Sequence, residues 1–219
     1  MTWFSVLQSI SILIAIWVAI AGLGLWRLEF LTKRKIELVE DWLASAYAFR
    51  DAIRYIRNPF SRGGEGSTRP RTEAEANDSP TVTEAKNRGY VFFERAEREQ
   101  QAINDFFKIK YRVMARCGKH TEELYQKAAQ IQNELNWAAN IMARHWRETA
   151  TGEAGYQGVQ REEVNEASRI IWWHGEKMEV FGKRVDALIE EIEVEVKRVT
   201  EQKYGLAELL NMPFGIRVK

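Results

Sequence analysis

The sequence predicts an all-α protein in which an N-terminal transmembrane helix continues into a cytoplasmic four-helix bundle or antiparallel coiled coil. Three observations lead to this prediction. No charged side chain occurs between Met1 and Trp26. Apolar residues recur at alternating steps of four and three through most of the remaining chain, as they do on one face of a helix. No segment shows the strict alternation of apolar and polar residues that is typical of a β-strand.

Residues 1–27 are predicted to be the transmembrane anchor. At a rise of about 1.5 Å per residue, Trp3 to Trp26 spans roughly 36 Å, which exceeds a bilayer core of about 30 Å. The first basic residues follow this run: Arg27, Lys33, Arg34 and Lys35. The positive-inside rule then places the N-terminus in the periplasm and the rest in the cytoplasm. The alternative is a cleaved signal peptide, because Ala19-Ile20-Ala21 resembles a cleavage site, but no basic residue precedes the apolar run.

One face of the anchor carries small and polar residues at spacings of three and four. They are Gln8, Ser11, Ala15, Ala19 and Gly22. Such residues allow transmembrane helices to approach closely and to form hydrogen bonds in lipid, so we predict an interface here. Two alternatives remain: small residues are common in transmembrane helices anyway, and Gln8 with Ser11 could line a pore.

The cytoplasmic region is predicted to form a bundle from residues 28–57 and 81–204. The first helix has a seam at heptad spacing: Lys35, Val39, Trp42, Ala46, Phe49, Ile53 and Ile56. A second helix ends at Gly118, a third begins at Thr121 and ends before Gly158, and a fourth runs from Gln160 to Gly205. Residues 58–80 are predicted to form a long Gly/Arg-rich loop, because they lack apolar periodicity.

The C-terminal tail, residues 205–219, combines apolar residues with Arg217 and Lys219. In an up-down bundle the fourth helix returns to the membrane, so the tail is predicted to be interfacial. The alternative is a tail that folds over the base of the bundle or caps a neighbouring subunit.

Four arginines are the strongest candidates for a ligand site. Arg50, Arg54 and Arg57 lie one position from the apolar seam, and Arg62 follows in the loop. Guanidinium groups clustered in this way bind phosphates or acidic peptides, so we predict a site for an anion or an acidic partner. The alternative is a solvated helix face whose arginines pair with nearby carboxylates.

Other residues suggest no catalytic or metal chemistry. Trp172 and Trp173 are adjacent and cannot both point into one core, so one of them is predicted to contact another helix or another subunit. The alternative is an extra core contact in a wide bundle. His145 and His174 are predicted to be core histidines, and Cys117 with His120 has a ligand-like spacing but lacks the four ligands of a structural zinc site. No catalytic triad or nucleotide-binding motif is found. We therefore predict a protein that is not an enzyme and that binds neither a cofactor nor a metal ion.

Composition limits the partners. The chain has 32 Lys and Arg residues against 31 Asp and Glu residues, so it carries no general field that would attract nucleic acid. Its one cysteine, Cys117, is compatible with a reducing compartment.

The segment Phe49–Phe60, FRDAIRYIRNPF, and the Gly-rich stretch after it resemble a group of bacterial single-pass membrane proteins of unknown function. The resemblance extends over the anchor and most of the helical domain. It implies the bacterial inner membrane as the location and carries over no activity.

The functional prediction is a non-enzymatic protein that is held in the lipid bilayer and forms a homo-oligomer or docks on a larger membrane complex. The alternatives are a homo-oligomeric channel or membrane-perturbing effector, and a cytoplasmic sensor that binds an anionic ligand.

Overall fold

The structure, a computed structural model, describes residues 3–152, 160–172 and 179–201. Across these ranges the regular elements are helices and no strand is found, which confirms the all-α prediction. The α-helices are α1 (Trp3–Ile56), α2 (Pro80–Arg98), α3 (Gln100–Lys108), α4 (Lys110–Cys117), α5 (Glu122–Thr151), α6 (Arg161–Ile171) and α7 (Val180–Thr200). Short 3-10 helices occur at Glu73–Asn77 and Lys119–Thr121. The predicted tail, residues 205–219, lies outside the described residues.

The chain divides into two compact units. The first contains Met1–Asp41 and Val196–Lys219, and the second contains Trp42–Glu195. Helix α1 begins in the first unit and ends in the second, and α7 contributes to both.

The first unit contains one long apolar helical segment. Within α1, an 18-residue window has a mean hydropathy of 2.2 and no buried residue, so the helix is long and apolar enough to cross a membrane. A signal sequence meets the same criterion. The buried apolar residues of this unit lie near the points where the chain passes into the second unit: Leu38 and Val39 on α1, and Val196 and Val199 on α7.

The core of the second unit includes the predicted seam of α1. Trp42, Ala46, Phe49, Ile53 and Ile56 are all at most 2% exposed, because their spacing places them on one side of the helix. Rings from other helices pack against this side.

An aromatic cluster forms the centre of these contacts. The Phe49 ring stacks on Phe106 of α3 with centroids 5.0 Å apart. Phe106 also lies 5.0 Å from Tyr125 of α5, and Tyr125 stacks on Trp42 at 6.1 Å. The cluster therefore joins α1, α3 and α5.

Helix α5 packs against both α2 and α6. Helix α2 begins after Ser79, whose side chain accepts a hydrogen bond from the Val82 amide and so satisfies one free N–H of the first turn. Gly89 of α2 lies directly against α5: a Cβ atom there would be 3.0 Å from the Cα and Cβ atoms of Ala143. The two helices thus make their close approach at a residue without a side chain.

Two predicted helices are divided in the structure. The segment expected to be one helix up to Gly118 is interrupted at Glu99, with ψ of 2°, and at Ile109, with ψ of −4°, although neither is Gly or Pro. The backbone of Ile109 stays in the right-handed helical region, whereas that of Glu99 leaves it. The interruptions place Phe92, Phe106 and Val113 in the core. The expected helix from Gln160 to Gly205 is also divided, because Trp172 adopts an extended conformation at the end of α6.

Residues 58–80 contain more local structure than the prediction of a loop implied. Gly64 and Gly66 adopt positive φ angles of 88° and 81°. Gly66 is required, because a Cβ atom there would lie 2.0 Å from the carbonyl oxygen of Asn87 on α2. This segment therefore packs closely on α2.

Candidate functional site

The structure separates the four predicted ligand-binding arginines by environment. Arg50 is half-buried, pairs with Asp51 at 3.1 Å and lies over the Tyr47 ring at 5.0 Å. Arg54 is exposed and pairs with Asp186 of α7 at 2.7 Å. Both guanidinium groups remain accessible from solvent, so an anion site at these residues stays a prediction.

Arg57 is buried and bonded within the protein. Its Nε donates to the Ile170 carbonyl at 2.6 Å, and one terminal nitrogen donates to the Trp172 carbonyl at 3.2 Å. The same guanidinium pairs with Glu179 at 2.8 Å and lies 4.7 Å from the Phe181 ring centroid. Burial lowers the pKa of Arg57, while the charge of Glu179 acts in the opposite direction. Arg57 thus fixes the end of α6 next to the start of α7.

Arg62 lies at the start of a turn that a second buried arginine organises. The Arg62 amide donates to Glu65 at 3.0 Å, and Glu65 accepts from Arg95 of α2 at 2.6 Å. Arg95 is 2% exposed and also donates to the carbonyls of Asn58 at 2.6 Å and Phe60 at 2.9 Å. The hydrogen bond from Arg95 lowers the pKa of Glu65, which keeps this carboxylate charged.

A further carboxylate holds the Gly-rich turn. Glu94, which is buried on α2, accepts a hydrogen bond from the Gly66 amide and pairs with Arg98 one turn later. Sequence reasoning missed Glu94 and Arg95, because a charged pair on a helix ordinarily indicates a solvated face. The available sequence signal was their spacing from Val91, which lies three residues before Glu94 and four before Arg95 and therefore on the same side of α2.

A cavity of about 400 Å³ lies between α2, α5 and the segment that precedes α2. From α2 it is lined by Lys86, Gly89, Tyr90 and Phe93, from α5 by Asn140, Ala143, Arg144 and Arg147, and from the preceding segment by Arg69 and Glu75. In both helices the lining residues follow the spacing i, i+3, i+4, i+7, which defines one helical face. The sequence analysis did not identify this site, since its residues come from three separate segments.

The charges at this cavity are predominantly positive. Glu75 accepts from Arg69 at 2.7 Å and from Lys86 at 3.1 Å, and these hydrogen bonds lower the pKa of Glu75 to about 2. Lys86 also pairs with Asp78 at 2.6 Å. Arg144 and Arg147 are exposed and have no ion-pair partner within the described ranges. The cavity can therefore attract an anion.

The predicted interface of the anchor is exposed along α1. Gln8, Ser11, Ala15, Ala19 and Gly22 are all exposed. The Ser11 hydroxyl donates to the Gln8 carbonyl at 2.9 Å, and a Cβ atom at Gly22 would meet nothing within 4 Å. This face is accessible, and its use as an interface stays a prediction.

The predicted tryptophan interface lies only partly within the described residues. Trp172 is half-buried and packs edge-on against Phe92 at 5.1 Å and near Trp146 at 6.3 Å. Its ring thus has partners inside the second unit, while Trp173 lies outside the described residues.

No group of three His, Cys, Asp or Glu side chains with the geometry of a metal site occurs in the described part of the chain. His120 lies 3.0 Å from Glu195, Cys117 is half-buried, and His174 is outside the described residues.

Comparison with known proteins finds no match: no family model fits the chain, and no similar curated protein or solved structure is found.

Proposed function

We propose that this protein is a non-enzymatic, membrane-anchored helical protein that associates with copies of itself or docks on another membrane complex. The first part of α1 is the anchor in this proposal, and the helices of the second unit form a bundle in the bacterial cytoplasm. The observation that carries the proposal is the exposed apolar surface of α1.

Sixteen large apolar side chains between Trp3 and Leu31 are exposed, by 37% to 87% of their surface. Fully burying one such side chain is worth about 1.5–3 kcal/mol; because the sixteen are on average somewhat more than half exposed, leaving all of them in water costs roughly 15–30 kcal/mol. This exceeds the whole stability of an ordinary domain, which is about 5–15 kcal/mol. A lipid environment removes this cost, because it covers the helix on all sides.

The residues at the end of the apolar segment support the same assignment. Trp26 stacks on Phe30 with ring centroids 6.0 Å apart, and the Arg34 guanidinium lies 4.4 Å from the Phe30 centroid. Aromatic residues concentrate at the membrane interface, and basic residues concentrate on its cytoplasmic side. This order along the chain favours a periplasmic N-terminus.

The small-residue face supports association. Gln8, Ser11, Ala15, Ala19 and Gly22 leave the backbone of α1 open to a second helix, and packing of small residues is the usual means of helix association in lipid. In the second unit, buried ion pairs join distant segments, Arg57 with Glu179 and Arg95 with Glu65, and such fastening supports a structural or accessory role.

Membrane extraction tests the anchor. We expect the full chain to stay in the membrane pellet after alkaline carbonate treatment, to dissolve in detergent, and to have the intact mass of 25.5 kDa. A charged residue at the centre of a membrane helix costs about 2.5–3.5 kcal/mol on insertion scales, which is much less than the apolar gain of this segment. Four substitutions together, Leu13→Arg, Ile14→Arg, Ile16→Arg and Val18→Arg, add about 10–14 kcal/mol and also remove four apolar side chains, so this variant should move protein to the soluble fraction. Glu37→Arg, which lies after the apolar segment, is the control. Release of the unmodified chain by carbonate, or a mass lacking the apolar segment, would contradict the proposal.

Crosslinking in the membrane tests the small-residue face. Ala15→Leu with Ala19→Leu adds bulk on this face and should reduce crosslinked oligomers, whereas Ala21→Leu with Gly24→Leu adds bulk on the other side of the helix and should not. Equal crosslinking in both variants would show that association does not use this face.

A further inference from the structure

We propose that the cavity between α2 and α5 is a binding site for a nucleoside di- or triphosphate, with the phosphates on its arginines and the base on its aromatic side. This inference goes beyond the proposed function, since it assigns a small-molecule ligand to the second unit. The proposed ligand site depends on the second unit alone and does not require the anchor to be in a membrane.

The helical framework gives the cavity a defined shape. Gly89 and Ala143 bring α2 and α5 together at its base. Because Tyr90 and Phe93 follow on the same face of α2, and Arg144 and Arg147 on the same face of α5, aromatic and basic side chains line the same space from different helices. The volume of about 400 Å³ lies in the range of about 300–1,000 Å³ that small-molecule sites occupy.

The positive charge of the residues that line the cavity favours a ligand with more than one negative charge. Four cationic side chains, Arg69, Lys86, Arg144 and Arg147, share the lining with the single carboxylate of Glu75. Asp78 neutralises part of this charge by pairing with Lys86, which leaves an excess of two. Arg144 and Arg147 are exposed and have no ion-pair partner among the described residues. Guanidinium groups bind phosphate oxygens through two parallel hydrogen bonds, so this pair suits a diphosphate.

The aromatic side of the cavity selects a flat, apolar group. Tyr90 and Phe93 are half-buried, and their ring centroids lie 6.1 Å apart. A nucleotide base gains affinity by stacking on an aromatic side chain. A phospholipid headgroup supplies the phosphate but no flat ring, so the aromatic lining favours a nucleotide over a lipid.

Isothermal titration calorimetry of the full chain in detergent tests the site, with ADP, inorganic pyrophosphate and adenosine as probes. We expect ADP to bind more tightly than either pyrophosphate or adenosine, because it uses both sides of the cavity. Each charged hydrogen bond is worth about 1.5–3 kcal/mol, so Arg144→Ala with Arg147→Ala should weaken ADP binding by about a hundredfold or more. Tyr90→Leu should weaken ADP but leave pyrophosphate unchanged.

Arg112→Ala is the matched control, since Arg112 is an exposed helical arginine outside the cavity. It should leave ADP binding unchanged, and thermal unfolding should show that every variant retains its fold. Absence of ADP binding, or ADP binding that the double arginine variant does not weaken, would overturn the proposal. Equal affinity for ADP and pyrophosphate would overturn the assignment of the base to Tyr90 and Phe93.

Discussion

Replacing Arg95 by Met should destabilise the second unit strongly. The Arg95 side chain is 2% exposed and donates to Glu65 at 2.6 Å, to Asn58 at 2.6 Å and to Phe60 at 2.9 Å. Met fills a similar space but donates nothing, so Arg95→Met leaves a buried carboxylate and two backbone carbonyls without their donor. Breaking one side of a buried ion pair costs about 3–5 kcal/mol.

The cost of Arg95→Met should fall in the lower part of this range of about 3–5 kcal/mol, because Glu65 keeps other partners. Arg98 remains 4.0 Å from Glu65, and the Arg62 amide still donates to it. We therefore expect Arg95→Met to reduce the free energy of unfolding by about 3 kcal/mol. Arg54→Met is the control: the side chains of Arg54 and its partner Asp186 are both exposed, and a surface pair contributes at most about 1 kcal/mol.

Urea titration in detergent, followed by far-UV circular dichroism, measures both variants. If Arg95→Met does not fold, Glu65→Gln provides the measurement, because it removes the charge but keeps an acceptor and should cost about 1–3 kcal/mol. An Arg95→Met variant as stable as Arg54→Met would refute the role assigned to this network.

Three further predictions concern the same unit. The pKa of Glu75 is about 2 in the folded chain against an ordinary 4.5, so the stability that the Glu75 carboxylate contributes is present above pH 4.5 and is lost as the pH falls toward 2. Glu75→Gln should flatten this part of the curve of stability against pH, measured by circular dichroism. Gly66→Ala should lower the midpoint of urea unfolding, since its Cβ atom would lie 2.0 Å from the Asn87 carbonyl, whereas Gly63→Ala meets nothing within 4 Å and should be neutral. Phe49→Ala should lower the free energy of unfolding by about 3–5 kcal/mol, because it empties a fully buried position. Phe60→Ala, at a residue that is 82% exposed, should change it by less than about 0.5 kcal/mol. Similar losses in the two variants would contradict the assignment of the core.

Apolar spacing predicted the helices and much of the core. The seam from Trp42 to Ile56 is buried as its period requires, and the turns at Gly118 and Gly152 coincide with residues that adopt positive φ. These features are local, so they can be read from neighbouring residues.

Helix interruptions were harder to predict. Glu99 and Ile109 end helices without Gly or Pro, and the end of α6 is associated with the hydrogen bonds that Arg57 donates from a distant part of the chain. The periodicity of apolar residues does not reveal long-range contacts of this kind, so they cannot be predicted from it.

The buried arginines and the cavity were missed for a related reason. Arg57 and Arg95 resemble solvated residues until their carbonyl and carboxylate partners are known. The cavity joins Arg69, Lys86 and Arg144 from segments that are far apart in sequence, and only the close approach at Gly89 brings them together.

The most direct test of the proposed function is native mass spectrometry of the protein after extraction from its own membranes in mild detergent. The account predicts the intact 25.5 kDa chain within a defined complex, either a homo-oligomer or an assembly with another membrane protein. A bare monomer would contradict association, and a chain that lacks its apolar N-terminal segment would contradict the anchor.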